Sequence, residues 1–321
     1  CSSDLAVLAF IQKKLSKKEL KNTNKPKVSI IIPAYNESIN AVKTISHNLN
    51  WDYPDFEIIF VNDGSTDDTL LKVRESFSDN NLVNIIDKTN GGKASALNLG
   101  IEKAAGEIVV CVDADTHLLP DAVTNLIKYF TEESVAAVAG TVKVGNKINM
   151  LTYWQHIEYV TSQNFDRRAF ALLNCITVVP GAIGAFRKSA IQKVGGYLYD
   201  TLAEDCDLTM RLLRSGYKIK NSADAIAVTE APEDLKHFML QRFRWTYGVL
   251  QAFWKNKKTL FNPKYKSLGL IAMPNILFFQ LIIPVLSPLA DLLMIISIFS
   301  GNAAQIGLYY LLFQLFDLAS S

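Results

Sequence analysis

The chain has 321 residues, enough for one large α/β domain or two ordinary ones with a substantial buried core. Its formal net charge of +2, from 33 Lys and Arg against 31 Asp and Glu, excludes a strongly basic nucleic-acid binder, and no nucleic-acid partner is expected. The cysteines (Cys1, Cys111, Cys175, Cys206) form no C-x-x-C pair and the histidines are scattered. Structural zinc and a disulfide framework are therefore not expected, as suits a reducing compartment.

Residues 1–27 hold a short apolar stretch, Leu5 to Ile11, followed by Lys13, Lys14, Lys17, Lys18, Lys21, Lys25 and Lys27. This reads either as a basic juxtamembrane segment or as a solvated helical linker. From Val28 the pattern turns to strands alternating with helices. Buried strands are expected from Val28 to Pro33, Phe56 to Val61 and Glu107 to Val112, a weaker one from Leu82 to Ile86, and another from Val135 to Gly140. Helical patterns begin near Ser38, Asp67 and Lys93. Such alternation predicts an α/β fold with a mostly parallel, Rossmann-like sheet covered on both faces, and ligands at the carboxyl ends of its strands.

A long amphipathic segment follows from Asn149 to Leu173, carrying Tyr153, Trp154, Tyr159, Phe165 and Phe170. A second compact unit then ends in a helical stretch from Leu235 to Trp254. From Ser267 to Ala290 there is no charged residue, and only Asp291 interrupts the apolar run to Phe299. Crossing a bilayer takes about 20 mostly apolar residues. Pro274, Pro284 and Pro288 divide the run into an expected interfacial helix, Leu268 to Leu277, and a spanning helix, Phe278 to Phe299; Leu308 to Leu318 reads as the truncated start of another. A buried pair of soluble helices is the competing reading. The expected organisation is a basic segment over 1–27, a catalytic domain over 28–260, and interfacial and transmembrane helices over 261–321.

Polar clusters mark the expected strand ends. Pro33-Ala-Tyr-Asn-Glu37 closes the first strand and Asn62-Asp-Gly-Ser-Thr-Asp67 the second. A carboxylate at Asp63 can accept the N3–H of a uracil ring, or serve plain turn chemistry. Asn90-Gly-Gly-Lys93 places backbone N–H groups and an ammonium at a helix start, where a pyrophosphate could sit, although the P-loop spacing is missing. Asp113-Ala-Asp115 follows the most hydrophobic strand, and paired hard oxygen ligands there suit Mg2+ or Mn2+ bridged to substrate phosphates. Glu204-Asp-Cys-Asp207 opens a helix; acidic residues there answer the helix dipole, or Asp205 serves as a general base. Gln241-Arg-Phe-Arg-Trp245 offers arginines for phosphate oxygens and an indole to stack on a sugar.

Taken in order, these motifs resemble those of the processive family 2 glycosyltransferases, the cellulose, hyaluronan, chitin and poly-N-acetylglucosamine synthases, from about Lys25 to Trp254. The resemblance implies a GT-A fold, a catalytic domain on the cytosolic side of the cell membrane, and inverting transfer from a UDP-sugar to a growing polysaccharide. A further membrane subunit is a possible partner. It places Pro33, Tyr35, Glu37 and Asp63 in the uridine pocket, with Lys93 near the base or diphosphate. Asp113 and Asp115 match the donor and metal pair, Asp205 the base, and Gln241, Arg244 and Trp245 the diphosphate and acceptor site. Val179-Pro-Gly-Ala-Ile-Gly-Ala-Phe-Arg187 and Gln-Arg in the last motif resemble most the poly-β-1,6-N-acetylglucosamine type, with UDP-N-acetylglucosamine as donor. Three alternatives stay open: transfer of one sugar to a lipid carrier, a cellulose-type glucan synthase, and a non-catalytic nucleotide-sugar sensor.

Overall fold

The computed structural model describes residues 25–161 and 167–300, with 307, 309–311 and 314 beyond them. Most of the basic segment and most of the helix expected from Leu308 to Leu318 lie outside the described residues. The first half of the domain alternates β1 (Val28–Ala34), α1 (Ala41–Asn48), β2 (Phe56–Asp63), α2 (Thr69–Phe77), β3 (Val83–Lys88), α3 (Lys93–Lys103) and β4 (Ile108–Cys111). The second half holds β5 (His117–Leu118), α4 (Ala122–Ile127), β6 (Val135–Val144), α5 (Met150–Thr161), α6 (Arg167–Leu172), β7 (Gly184–Arg187), α7 (Lys188–Lys193), α8 (Glu204–Arg214), β8 (Lys218–Thr229) and α9 (Leu235–Asn256). An apolar helical run, α10 (Leu268–Phe299), follows.

The sheet is mixed, with strand order β3-β2-β1-β4-β7-β6-β8-β5. β3, β2, β1 and β4 pair in parallel, as the strand–helix alternation requires. β7 then runs antiparallel between β4 and β6, and β5 pairs antiparallel with β8 at the far edge. The expected all-buried strands are found, and their alternating side chains feed two cores. Ile30, Ile32, Ile58 and Phe60 face one, shared with Ile45 of α1 and Val73 of α2. Ile31, Ile59 and Val61 face the other, shared with Leu97 of α3, Leu208 of α8 and Phe253 of α9. A sheet buried on both sides explains why these strands read as continuous apolar runs.

β7 and β8 were not among the expected strands. β7 is only four residues long, and β8 mixes Lys218, Lys220, Asn221, Ser222 and Asp224 with its apolar residues. Its pairing with β6 is interrupted by register shifts, so no clean period-two pattern survives in its sequence.

The two apolar segments that the prolines were expected to separate form one continuous helical run of 32 residues. Wide turns over Leu268–Ala272 and Ile276–Ile282 flank the short α-helical Met273–Asn275, which contains Pro274, and Pro284 lies in the first turn of the following Ile283–Phe299 stretch. Each proline removes one N–H from the helical ladder; the widened turns precede Pro274 and Pro284, and Pro288 lies inside the last stretch without ending it. By length and composition α10 is apolar enough to cross a membrane. Its first turns instead pack on the domain: Leu268, Ala272, Met273 and Ile276 join the core beneath α8 and α9.

Candidate active site

The loops leaving β1 and β2 are laced together. Asn36 (φ 57°) donates its backbone N–H to Ser65 Oγ at 3.0 Å, and its Oδ1 accepts from the Thr66 N–H at 2.9 Å. Glu37 N–H donates to Thr69 Oγ1 at 2.8 Å, and Ser38 N–H to Asp67 Oδ2 at 3.2 Å. Hydrogen bonding from Thr69 and Ser38 holds the Asp67 carboxyl below its ordinary range, against a burial effect that opposes it. Tyr35 stands exposed beside this lacing, while Pro33 lies within β1.

Asp63 ends β2 and is buried. Its Oδ1 accepts from the Gly91 N–H at 3.0 Å and from Lys88 Nζ, and its Oδ2 accepts from the Gly92 N–H at 2.8 Å. The carboxylate therefore ties the Gly91-Gly92 loop, and with it the start of α3, to the end of β2. A buried carboxylate with three charge-assisted bonds is a stable anchor.

Lys93, the first residue of α3, is the hub of the site. Its Nζ lies 2.5 Å from Asp113 Oδ1 and 3.6 Å from Glu204 Oε1. Burial opposes its charge, but Asp113, Glu204 and Asp205 together raise its pKa, so it stays an ammonium. The ammonium also lies against Gly181: a side chain there would begin 2.9 Å from Nζ and would push the lysine head aside. β4, α3 and α8, distant in sequence, thus meet at one cation.

In the same cluster Glu37, Asp115 and Asp205 are held above their ordinary range. Burial, then the charges of Asp115 and Asp113, raise Glu37. Burial, then Asp113, raise Asp115, whose Oδ1 accepts from Thr116 Oγ1 at 3.1 Å. Asp205 is pushed up to about 6, first by burial and then by Glu204, with Lys93 pulling the other way. Its Oδ1 accepts from the Cys206 N–H at 2.8 Å. The sequence offered Asp205 as the base, with Glu37 assigned to the donor pocket; in the structure Glu204 joins Asp205 beside Lys93, and Glu37 is raised by Asp115 and Asp113.

The expected metal pair fits this setting. Among the described residues no three His, Cys, Asp or Glu side chains form a closed cage. Two carboxylates short of a full set are what a hard cation shared with phosphate oxygens and water uses. Mutual repulsion of Glu37, Asp113 and Asp115 is relieved by positive charge placed among them.

α9 forms the opposite wall. Gly248 makes its approach to α8 possible, since a side chain there would begin 2.6 Å from Ala203 Cβ and 2.7 Å from Ala203 N. Gln251 Oε1 accepts from the Leu202 N–H at 2.9 Å, just before Glu204 and Asp205. Within the Gln241 to Trp245 motif, Arg242 rather than Arg244 is engaged. It forms a two-pronged pair with Glu158 of α5 and lies 4.7 Å over the Trp245 ring. Trp245 in turn lies 6.3 Å from Tyr159. Arg244 is exposed, and Gln241 carries a buried Oε1 with no hydrogen-bond partner.

Two neighbours escaped the sequence reading. Burial pushes Tyr159 up to about 12, with Arg242 pulling the other way and the charges of Glu158, Asp115 and Asp113 adding to the rise. Arg167 is half-buried, lowered by desolvation to about 10, and favoured in its charged form by Asp205. Its guanidinium donates to the Gly140 carbonyl at 3.0 Å. Tyr159 was noted only as one aromatic in an amphipathic segment; nothing in its spacing pointed to the site.

The sequence matches glycosyl transferase family 2 over residues 29–195. It is 35% identical over 238 residues to a poly-β-1,6-N-acetyl-D-glucosamine synthase of Staphylococcus epidermidis, covering 72% of this chain and 58% of the relative. A synthase of the same name from Staphylococcus aureus (strain COL) is 33% identical over 243 residues, covering 74% of this chain and 59% of the relative. The chain thus spans less than two thirds of the length of these relatives. In fold it is similar to a mannosyltransferase from Pyrobaculum calidifontis solved with GDP-Man and Mn2+: TM-score 0.66, 22% identity, covering 99% of this chain and 95% of the other. That likeness supports a GT-A-like architecture. The chain belongs to glycosyl transferase family 2.

Proposed function

We propose that this chain is the catalytic unit of an inverting, membrane-bound synthase that polymerises a β-linked polysaccharide from UDP-N-acetylglucosamine. The observation that carries the reading is the convergence of Asp113, Glu204 and Asp205 on Lys93. It supports the reading because Asp113, the donor-side candidate, and Asp205, the base candidate, both act on one charge.

In this reading the laced loops around Tyr35, Glu37 and Asp63 hold the nucleoside, and Lys93 with the Gly91-Gly92 loop meets the diphosphate. Asp205, mostly ionised at neutral pH with a pKa near 6, faces the acceptor hydroxyl. The acceptor oxygen bonds to donor C1 as the C1–O bond to the diphosphate breaks; the bonding pair leaves with UDP and the hydroxyl proton passes to Asp205. One attack on an α-linked donor yields a β-linked product. Mg2+ or Mn2+ held by Asp115 and Asp113 would neutralise charge on the departing diphosphate. Arg244, exposed, adds a positive group on that side, and Trp245 offers its ring to an acceptor sugar. Gln241 brings an unanswered carbonyl to the same wall. α10 enters the cell membrane, with the catalytic domain on the cytosolic side.

The test is product analysis. Full-length protein in membranes, supplied separately with UDP-N-acetylglucosamine and UDP-glucose, should release one UDP per sugar and build a long β-linked polymer from the first donor only. A product stopping at one sugar on a lipid would end the processive reading, and incorporation of glucose instead would end the donor assignment.

A further inference from the structure

Charge along the chain is lopsided where α9 meets α10. Between Leu235 and Ala290 there are eight Lys and Arg residues and no Asp or Glu. Some of these cations are occupied: Arg242 pairs with Glu158, and Lys255 with Asp200 and Asp207. Lys257, Lys258, Lys264 and Lys266 are exposed, and none forms an ion pair among the described residues. They flank two large exposed aromatics, Trp254 (64% exposed) and Phe261 (58%). Lys257 Nζ sits 4.0 Å over the Trp254 ring.

These groups sit on a folded ledge. Short 3-10 turns, Lys257–Thr259 and Pro263–Tyr265, are separated by Phe261, whose N–H donates to the Gly269 carbonyl of α10 at 3.0 Å. Asn262 caps the second turn by accepting from the Lys264 N–H at 3.1 Å. Phe261 (φ 54°) and Lys266 (φ 47°) both take a positive φ, which side chains disfavour. The surrounding bonds fix these conformations, and so fix where the lysines lie relative to the first turn of α10.

We infer that this ledge is a binding surface for acidic phospholipid headgroups. The inference rests on the proposed entry of α10 into a membrane and adds the lipid class that the domain prefers. Four ammonium groups and two aromatic rings at the start of an apolar helix match the charge and polarity of an anionic bilayer interface. An ammonium near such a surface strengthens partitioning by about fivefold, so four contribute on the order of several hundred-fold.

The experiment is flotation of the full chain, delivered from mild detergent, with vesicles of phosphatidylcholine alone or with about one quarter phosphatidylglycerol. Partitioning should be on the order of several hundred-fold stronger with the acidic vesicles, and the difference should shrink as salt shortens the screening length from about 10 Å to about 3 Å. The variant K257Q/K258Q/K264Q/K266Q, changed only at exposed positions, should float with neutral vesicles as the parent does and lose the preference. Soluble glycerol phosphate should not displace the parent. Equal flotation with both vesicles, a preference that survives in the variant, or displacement by glycerol phosphate overturns the headgroup surface while leaving α10 in the membrane. Failure to float with either vesicle overturns the membrane reading as well.

Discussion

The two walls of the site differ in how far their polar groups are satisfied within the protein. On the β1–β2 side, Asn36, Asp63 and Asp67 each accept hydrogen bonds from neighbouring loops, and Asp63 is tied three times over. On the α8–α9 side, Asp205 is held above its ordinary range and Gln241 keeps an unanswered Oε1; Glu37, in the loop after β1, and Asp115, after β4, are raised as well. Glu37 and the buried Asn62 Oδ1 aside, the first wall is a finished socket. The second holds electrostatic demand that substrate groups or a cation can answer, as is common where chemistry takes place. Substitutions should therefore act on binding and stability on one wall and on turnover on the other.

The largest effect is expected at Asp205. Asp205→Asn keeps the size of the side chain and an oxygen for the Cys206 N–H, so folding and UDP affinity should persist while turnover falls by about 10²–10⁴-fold. Near-normal UDP release would make Asp205 a structural residue and turn attention to Glu204.

Next comes Asp63. Asp63→Ala leaves the Gly91 and Gly92 N–H groups without their acceptor, at a cost of about 1 kcal/mol for each lost bond. Lower thermal stability and weaker UDP binding, with chemistry preserved at saturating donor, are the expected outcome. A pure turnover defect would erase the contrast between the walls.

Gly248→Ala tests the fit between α9 and α8. The added carbon would meet Ala203, and relieving such overpacking costs about 1–3 kcal/mol. Trp245 and Gln241 should move with the helix, so acceptor use should suffer more than UDP affinity. Equal acceptor kinetics in the variant would show that the helix contact does not set the acceptor wall.

The smallest effect is a shift in pH profile. Asp205 must be ionised to take a proton, so turnover should fall as pH drops through about 6 and level off above it. Lys93 favours the ionised form, so Lys93→Met should move that midpoint upward. A midpoint that stays put, measured at saturating donor, would separate Lys93 from the base.

Much of the site was legible because its motifs sit at strand ends. A buried parallel strand leaves a recognisable apolar run, as Ile30, Ile31 and Ile32 do, and the polar residues after it fall on the ligand-binding edge. Partners drawn from elsewhere were not legible. Glu158 and Tyr159 belong to a helix whose pattern reports only a half-buried face, and Arg167 is one member of an Arg-Arg pair in a stretch without strand or loop signals. The Gln241 to Trp245 motif was found, but sequence could not say that Arg242 would be spent on Glu158 and leave Arg244 exposed.

By itself, the sequence determined the alternation of strands and helices in the first half, the order of the polar motifs, and an uncharged run long enough to cross a membrane. Each is a local property, written in composition and period over a few residues. Tertiary structure alone decided that β7 enters the sheet antiparallel between β4 and β6, that the prolines of α10 do not break it, and that Lys93 gathers Asp113, Glu204 and Asp205. Those outcomes depend on which distant surfaces meet: a lysine's pKa, a carboxylate's charge and an arginine's partner are set by neighbours within a few ångströms in space, and no spacing along the chain encodes them.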